Sequence, residues 1–238
     1  GNRAFSFSRK PGADTCITFE ELDLSLIDEA KVFHFGTLSL TDEPARSTTQ
    51  KAVAYAKNNG KLITYDPNLR KPLWKDLDTA KEQILWGLQY ADVVKISDEE
   101  VDFLWGLSPE AGAQYILDNY GVKLVFITCG PEGCYFKNAN AEGMVASPKG
   151  IKAIDTTGAG DIFGGSAVAR LLELEKSMED LTEEDLAYEQ KMLDQEAVEE
   201  GLKYIFLSTV RKNPHFNYVF DGIVYAVAVS LGFAALEN

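Results

Sequence analysis

Short apolar runs alternate with stretches of helical spacing along most of this chain. "AKVFHFGTLSL" (30–40) reads as a strand, and "DEPARSTTQKAVAYAKNNG" (42–60) as a helix that Gly60 ends as a C-cap. "KLITYDPN" is a short apolar strand that runs into Asp-Pro-Asn turn chemistry. A helix from about Leu77 to Tyr90 leads to the strand "ADVVKIS". Two further helices, "DEEVDFLWG" and "PEAGAQYILDNYG", precede the strand "KLVFIT", the turn "CGPEG" and the strand "CYFKN". Farther on, Phe163, Ala167, Leu171 and Leu174 fall on one helical face.

Repeated strand–helix–strand units predict an α/β fold: a mainly parallel central sheet with helices on both faces. Such sheets bind ligands beyond the carboxyl ends of their strands. Three polar motifs, "DPNLR", "SDEE" and "TCGPEG", sit just after predicted strands. No internal repeat or linker is visible, so one domain is the simplest count. At the start, "AFSFSR" alternates and puts Phe5 and Phe7 on one face of an exposed or half-buried strand.

Composition narrows the function. The net charge of −14 disfavours nucleic acid, whose phosphates need clustered Lys and Arg. Twelve acids between Glu173 and Glu200 face only Lys176 and Lys191, as on a solvated helical surface. Cys16, Cys129 and Cys134 form no CxxC pair, which argues against a zinc site or a disulfide framework and for a reducing cytoplasm. The apolar run Gly222–Leu236 is short of the roughly twenty residues a membrane span needs, so a buried terminal helix is expected there and no membrane partner.

"DTTGAGDIFGG" (155–165) is the motif with chemistry in it. It is neither GxxxxGK[ST] nor GxGxxG, because Gly158, Gly160 and Gly164 are spaced GxGxxxG. At a helix start, Gly158, Ala159 and Gly160 aim backbone N–H groups and the positive helix end at one point, which suits an anion. Asp161 sits at the same spot. Its carboxylate either stabilises the helix end or takes a hydroxyl proton beside a phosphoryl group in transfer. Ser97 and Glu100 have the spacing of a capping box, and "CGPEG" that of a plain hairpin turn. His34 and His215 lack nucleophile–base company and read as structural.

"DTTGAGDIFGG" resembles the C-terminal signature of the ribokinase-like (phosphofructokinase-B) carbohydrate kinases. "YDPNLRKPLW", "KISDEEVDFL" and "ITCGPEGCYF" are similar to segments of that family's bacterial fructokinases, in the same order. The resemblance runs from about Arg3 to Thr209. It implies that Asp161 is the catalytic base and that Gly158, Ala159 and Gly160 form an anion hole for the γ-phosphate. It also implies nucleotide contacts from Thr128, Gly130 and Gly133, and a sugar or phosphate contact from Arg70. Glu100 resembles the acid that holds Mg2+ through water, and Asp155 and Thr157 resemble the site of a monovalent cation such as K+. The implied cofactors are ATP and Mg2+, and the implied reaction is phosphorylation of a sugar, foremost fructose. 2-Keto-3-deoxygluconate, ribose and a non-catalytic nucleotide-binding relative are the alternatives, and a homodimer is the candidate assembly.

Two departures from the family stand out. Its N-terminal strands and glycine-rich sugar-binding segment have no counterpart here, so the chain is expected to be an incomplete core (10–238) behind a remnant of a lid strand (1–9). After "LSTV", the segment from Arg211 onward matches the family poorly, and no adenine contact is assigned to it.

Overall fold

Strands β1 (Val32–Gly36) and β2 (Leu62–Asp66) pair in parallel, Val32 against Leu62 through Gly36 against Asp66. They lie in a computed structural model that describes residues 9, 11–147 and 158–186. The chain divides into two compact units, with the break between Asp92 and Val93.

In the first unit, helix α1 (Leu24–Glu29) starts on the Asp23 side chain, which accepts a hydrogen bond from Ser25 N. Helix α2 (Ala45–Asn58) links β1 to β2 and buries Thr48, Ala52, Val53 and Ala56 along one stripe. Helix α3 (Leu77–Leu88) follows β2, its first turn capped by Asp76. Phe35 of β1 stacks on Tyr65 of β2, ring centroids 4.5 Å apart, and meets Trp86 of α3 edge-on at 6.0 Å. Gly87 makes room for this cluster, because a Cβ there would lie 2.4 Å from the Tyr65 ring. Each fully buried Ile or Leu of such a core contributes about 1.5–3 kcal/mol.

The strand expected over 30–40 stops early. At Thr37 the backbone N–H and the hydroxyl both donate to Pro67 O, at 3.1 and 2.6 Å, and the chain turns into a short 3-10 segment at Leu38–Leu40. Leu38 and Leu40 are buried there, Leu40 in a cluster with Trp74 and Ala80.

The second unit holds β3 (Val93–Ser97), β4 (Leu124–Thr128), β5 (Cys134–Asn138) and β6 (Glu142–Val145). β3 and β4 are parallel; β5 and β6 add antiparallel strands in chain order. Helices α4 (Asp98–Trp105) and α5 (Pro109–Tyr120) carry the crossover from β3 to β4. Helix α6 (Ala159–Leu174) buries Ala167 and Leu171, and its Phe163 meets Phe126 of β4 edge-on at 5.6 Å.

One buried side chain ties this unit together behind α6. Asn138 Nδ2 donates to Met178 O and Leu181 O, while its Oδ1 accepts from Asn140 N and Ala141 N. All the bonding capacity an amide commonly uses is taken up.

Candidate functional site

Gly158 opens α6 in the left-handed region, at φ 79°, and no side chain caps the helix. No atom of the described residues lies within 4 Å of where its Cβ would be, and its backbone conformation selects glycine there. Ala159 is exposed, and Gly160 and Asp161 are half-buried. Asp161 falls in the first turn, at the positive end of the helix. Gly160 is glycine for a different reason. A Cβ at 160 would sit 2.8 Å from Lys95 Nζ, which reaches this turn from β3. Asp155 and Thr157 lie outside the described residues, as do the opening strand "AFSFS" and the run Gly222–Leu236.

β3 delivers Glu100 through the start of α4. The capping box read from the sequence is present: Glu100 N donates to Ser97 Oγ at 3.2 Å, and Glu100 Oε2 accepts from Ser97 N at 2.9 Å and from Ser97 Oγ at 2.8 Å. Glu100 as a whole is 7% exposed. Among the described residues no group of three or more His, Cys, Asp and Glu is placed to hold a metal. A cation held by Glu100 would take ligands from water and phosphate as well, which is the habit of Mg2+.

Thr128 ends β4 directly opposite Ser97, so the motifs "SDEE" and "TCGPEG" share one edge of the second unit. The turn is a tight hairpin: Cys129 N donates to Gly133 O at 2.8 Å and Gly133 N to Gly130 O at 3.2 Å. Its two glycines have structural reasons of their own. Gly130 has φ 54°, and Gly133 has φ 117° with its would-be Cβ 1.9 Å from Val145 O. Cys129 and Cys134 flank the turn, and both are buried. Burial first, and the charge of Asp98 second, push the Cys129 thiol up, which disfavours the thiolate a nucleophile needs.

Arg70 belongs to the first unit and is exposed just beyond β2, after Asn68, which takes φ 50°. Its carbonyl accepts from Leu73 N at 2.9 Å and starts the next turn. His34 Nδ1 bonds Thr64 Oγ1 across β1 and β2 at 2.9 Å, a structural pairing; His215 lies outside the described residues. Sequence reasoning passed over Lys95. Its signal was a lysine in the middle of an otherwise apolar strand.

With this geometry in hand, comparisons with known proteins are informative. Residues 1–183 match the pfkB family carbohydrate kinase, and residues 166–238 match the PrsW family intramembrane metalloprotease. The first match stops short of Thr209, and the second covers the tail that departs from the sugar kinases. Fructokinase-2 of Solanum lycopersicum is 41% identical over 181 residues, covering 76% of this chain and 55% of the relative. Probable fructokinase-4 of Arabidopsis thaliana is 42% identical over 182 residues, covering 76% and 55%. The chain thus spans about half the length of the curated relatives it matches. Among solved structures, the fructokinase of Vibrio cholerae with fructose, ADP and calcium bound aligns with a TM-score of 0.68 at 31% identity, over 80% of this chain and 60% of that one. Aminoimidazole riboside kinase of Salmonella enterica gives a TM-score of 0.63 at 26% identity, over 80% and 62%. The expected α/β fold class therefore holds, with a hairpin extending its parallel strands. No helix among the described residues is long and apolar enough to cross a membrane.

Proposed function

Because the chain belongs to the pfkB family of carbohydrate kinases, we propose that it carries the phosphoryl-transfer part of an ATP-dependent sugar kinase whose acceptor is fructose. The observation behind this reading is the start of α6, where an uncapped Gly-Ala-Gly precedes Asp161 in the first helical turn. The amides of Gly158, Ala159 and Gly160 receive the terminal phosphoryl group of ATP at the positive helix end. A sugar hydroxyl oxygen attacks that phosphorus, the bond to the ADP oxygen breaks, and the hydroxyl proton passes to the Asp161 carboxylate. Most of the rate gain comes from positioning and charge stabilisation.

Beside this centre Thr128, Gly130 and Gly133 contact the nucleotide, and the family resemblance assigns Arg70 a contact to the sugar or a phosphate. Glu100 would hold Mg2+ through water, with Ser97 orienting its carboxylate; when bound, the ion offsets phosphate charge. Asp155 and Thr157 would hold a monovalent cation such as K+. Cys16, Cys129 and Cys134, with no CxxC spacing among them, support a cytoplasmic setting.

The test is ADP release by the whole chain with a panel of fructose, ribose and 2-keto-3-deoxygluconate. Fructose-dependent release above the other sugars is expected. Nucleotide binding without sugar-dependent release would replace this reading with that of a non-catalytic relative.

A second reading concerns residues 166–238 alone and rests on their match to the PrsW family. We infer that the part of this tail beyond the kinase match, residues 184–238, has a separate origin and that Gly222–Leu236 favours a lipid surface. Flotation of the whole chain with phosphatidylcholine vesicles tests it. Co-flotation lost on Val227→Asp with Leu231→Asp supports the reading, and a chain that stays with the aqueous fraction removes it.

A further inference from the structure

We propose that the outward face of α6 is a docking surface within the molecule, and that residues 197–209 of this same chain cover it. The inference is independent of the kinase reading and of the lipid reading of Gly222–Leu236. α6 packs inward through Phe163, which meets Phe126 of β4, and through the buried Ala167 and Leu171. Its other side carries Ile162, Gly165, Ala169 and Leu172, all exposed, Ile162 at 49% and Leu172 at 39%. Their steps of three, four and three residues are those of a helix–helix seam, and no charge interrupts it. By contrast, α2 shows Ser47, Lys51 and Lys57 to solvent, and α5 shows Glu110, Gln114 and Asp118. A helix apolar on two sides is a helix that belongs in an interior. Gly165 and Ala169, one turn apart, leave a groove between Ile162 and Leu172 that admits larger side chains from a neighbouring element.

The occupant follows from where the described chain stops. Leu186 is buried there, and shortly before it Asn138 holds the carbonyls of Met178 and Leu181 to the unit that carries α6. Residues 187–196, fully extended, reach up to about 33 Å, whereas the 16 residues of α6 span about 24 Å. Beyond that tether, Val198, Leu202 and Ile205 have the i, i+4, i+7 spacing of one helical face, with Glu196, Glu199, Glu200 and Lys203 on the opposite side. One apolar side and one wet side are what the cover of a surface helix needs. Gly222–Leu236 carries no charge on any side and does not fit. A second copy fits poorly too. Antiparallel pairing of α6 with itself aligns Ile162 with Leu172 but sets Asp161 against a second Glu173, like charge to like.

The experiment follows hydrogen exchange of α6 in the whole chain by mass spectrometry. With Leu202→Asp and Ile205→Asp together, amides between Ile162 and Leu172 should exchange about tenfold faster or more, because their cover is lost. Leu202→Ala, a milder change, should move them in the same direction. Ala169→Glu works from the other side of the contact. On a bare face it is close to neutral. Under a cover it lowers the urea midpoint, and it adds little once the two tail substitutions are in place. Unchanged exchange and an unchanged midpoint would leave the face bare and overturn the proposal. Strictly additive effects would do the same, since the two segments would then not touch. Light scattering should find a monomer; a dimer that Ala169→Glu takes apart would give the face to a second copy instead. ADP release is not a readout here, so failure of this proposal and failure of the kinase reading stay distinguishable.

Discussion

Ser97 and Glu100 satisfy each other. The serine hydroxyl receives the Glu100 amide, and the Glu100 carboxylate receives both the amide and the hydroxyl of Ser97. One residue thus has two employments, as a helix cap and as the acid proposed to hold Mg2+ through water. Substitution separates them. Glu100→Gln keeps an acceptor for the cap and should change unfolding free energy by less than about 0.5 kcal/mol, while Glu100→Ala should cost about 1 kcal/mol. If the metal role is real, Glu100→Gln also raises the Mg2+ concentration for half-maximal ADP release. A magnesium titration identical to wild type would leave only the cap.

Asp161 is the proposed base, so Asp161→Asn should lower sugar-dependent turnover roughly 10²–10⁴-fold. Nucleotide affinity should stay close to wild type, because the amide keeps the volume of the carboxyl group. Steady-state kinetics with calorimetry checks both. Near-normal turnover in the variant would take Asp161 out of the chemistry.

Glycines 133 and 158 both have positive φ but differ in their surroundings. Ala at 158 meets no atom of the described residues and carries the conformational cost, about 1 kcal/mol. Ala at 133 meets the Val145 carbonyl oxygen at 1.9 Å and breaks the fit of β6 to the turn, so about 3 kcal/mol or more is expected. Urea midpoints of the two variants should rank in that order. A reversed order would mean that the hairpin adapts.

Asp185 gives a pH signature. The hydrogen bond from Lys176, then those from Thr182, hold its carboxyl down at about 2. A carboxyl depressed in the folded state stabilises fully above its unfolded value, roughly 4, and loses that contribution as pH falls toward 2. An NMR titration should place the Asp185 midpoint near 2 in the wild type and closer to 4 in Lys176→Met. An unchanged midpoint would show that Lys176 is not the cause.

Much of the architecture was legible because apolar period and cap chemistry agreed. β2, β3, β4 and β5 and helices α2 to α5 follow the runs and turns read from the sequence. β6 was not seen: Glu142-Gly143-Met144-Val145 has no continuous apolar face, and its strand character comes from pairing with β5, Tyr135 opposite Met144. α1 escaped because six residues behind an Asp23 cap give too little period to detect. The site divides the same way. Local features such as the Ser97–Glu100 box and the Gly133 turn were readable, whereas Lys95 beside Gly160 is a contact across 65 positions that no local pattern encodes.

The amide of Asn138 sets where this chain can be cut. It grips two carbonyls, at Met178 and Leu181, that lie past the end of α6 and inside the overlap of the two family matches. Truncation at Leu174 would strand that amide without acceptors and strip away Leu181, which is wholly shielded from solvent. A kinase fragment intended to fold alone should therefore extend at least through Leu186, keeping the stitch that closes the back of the sheet.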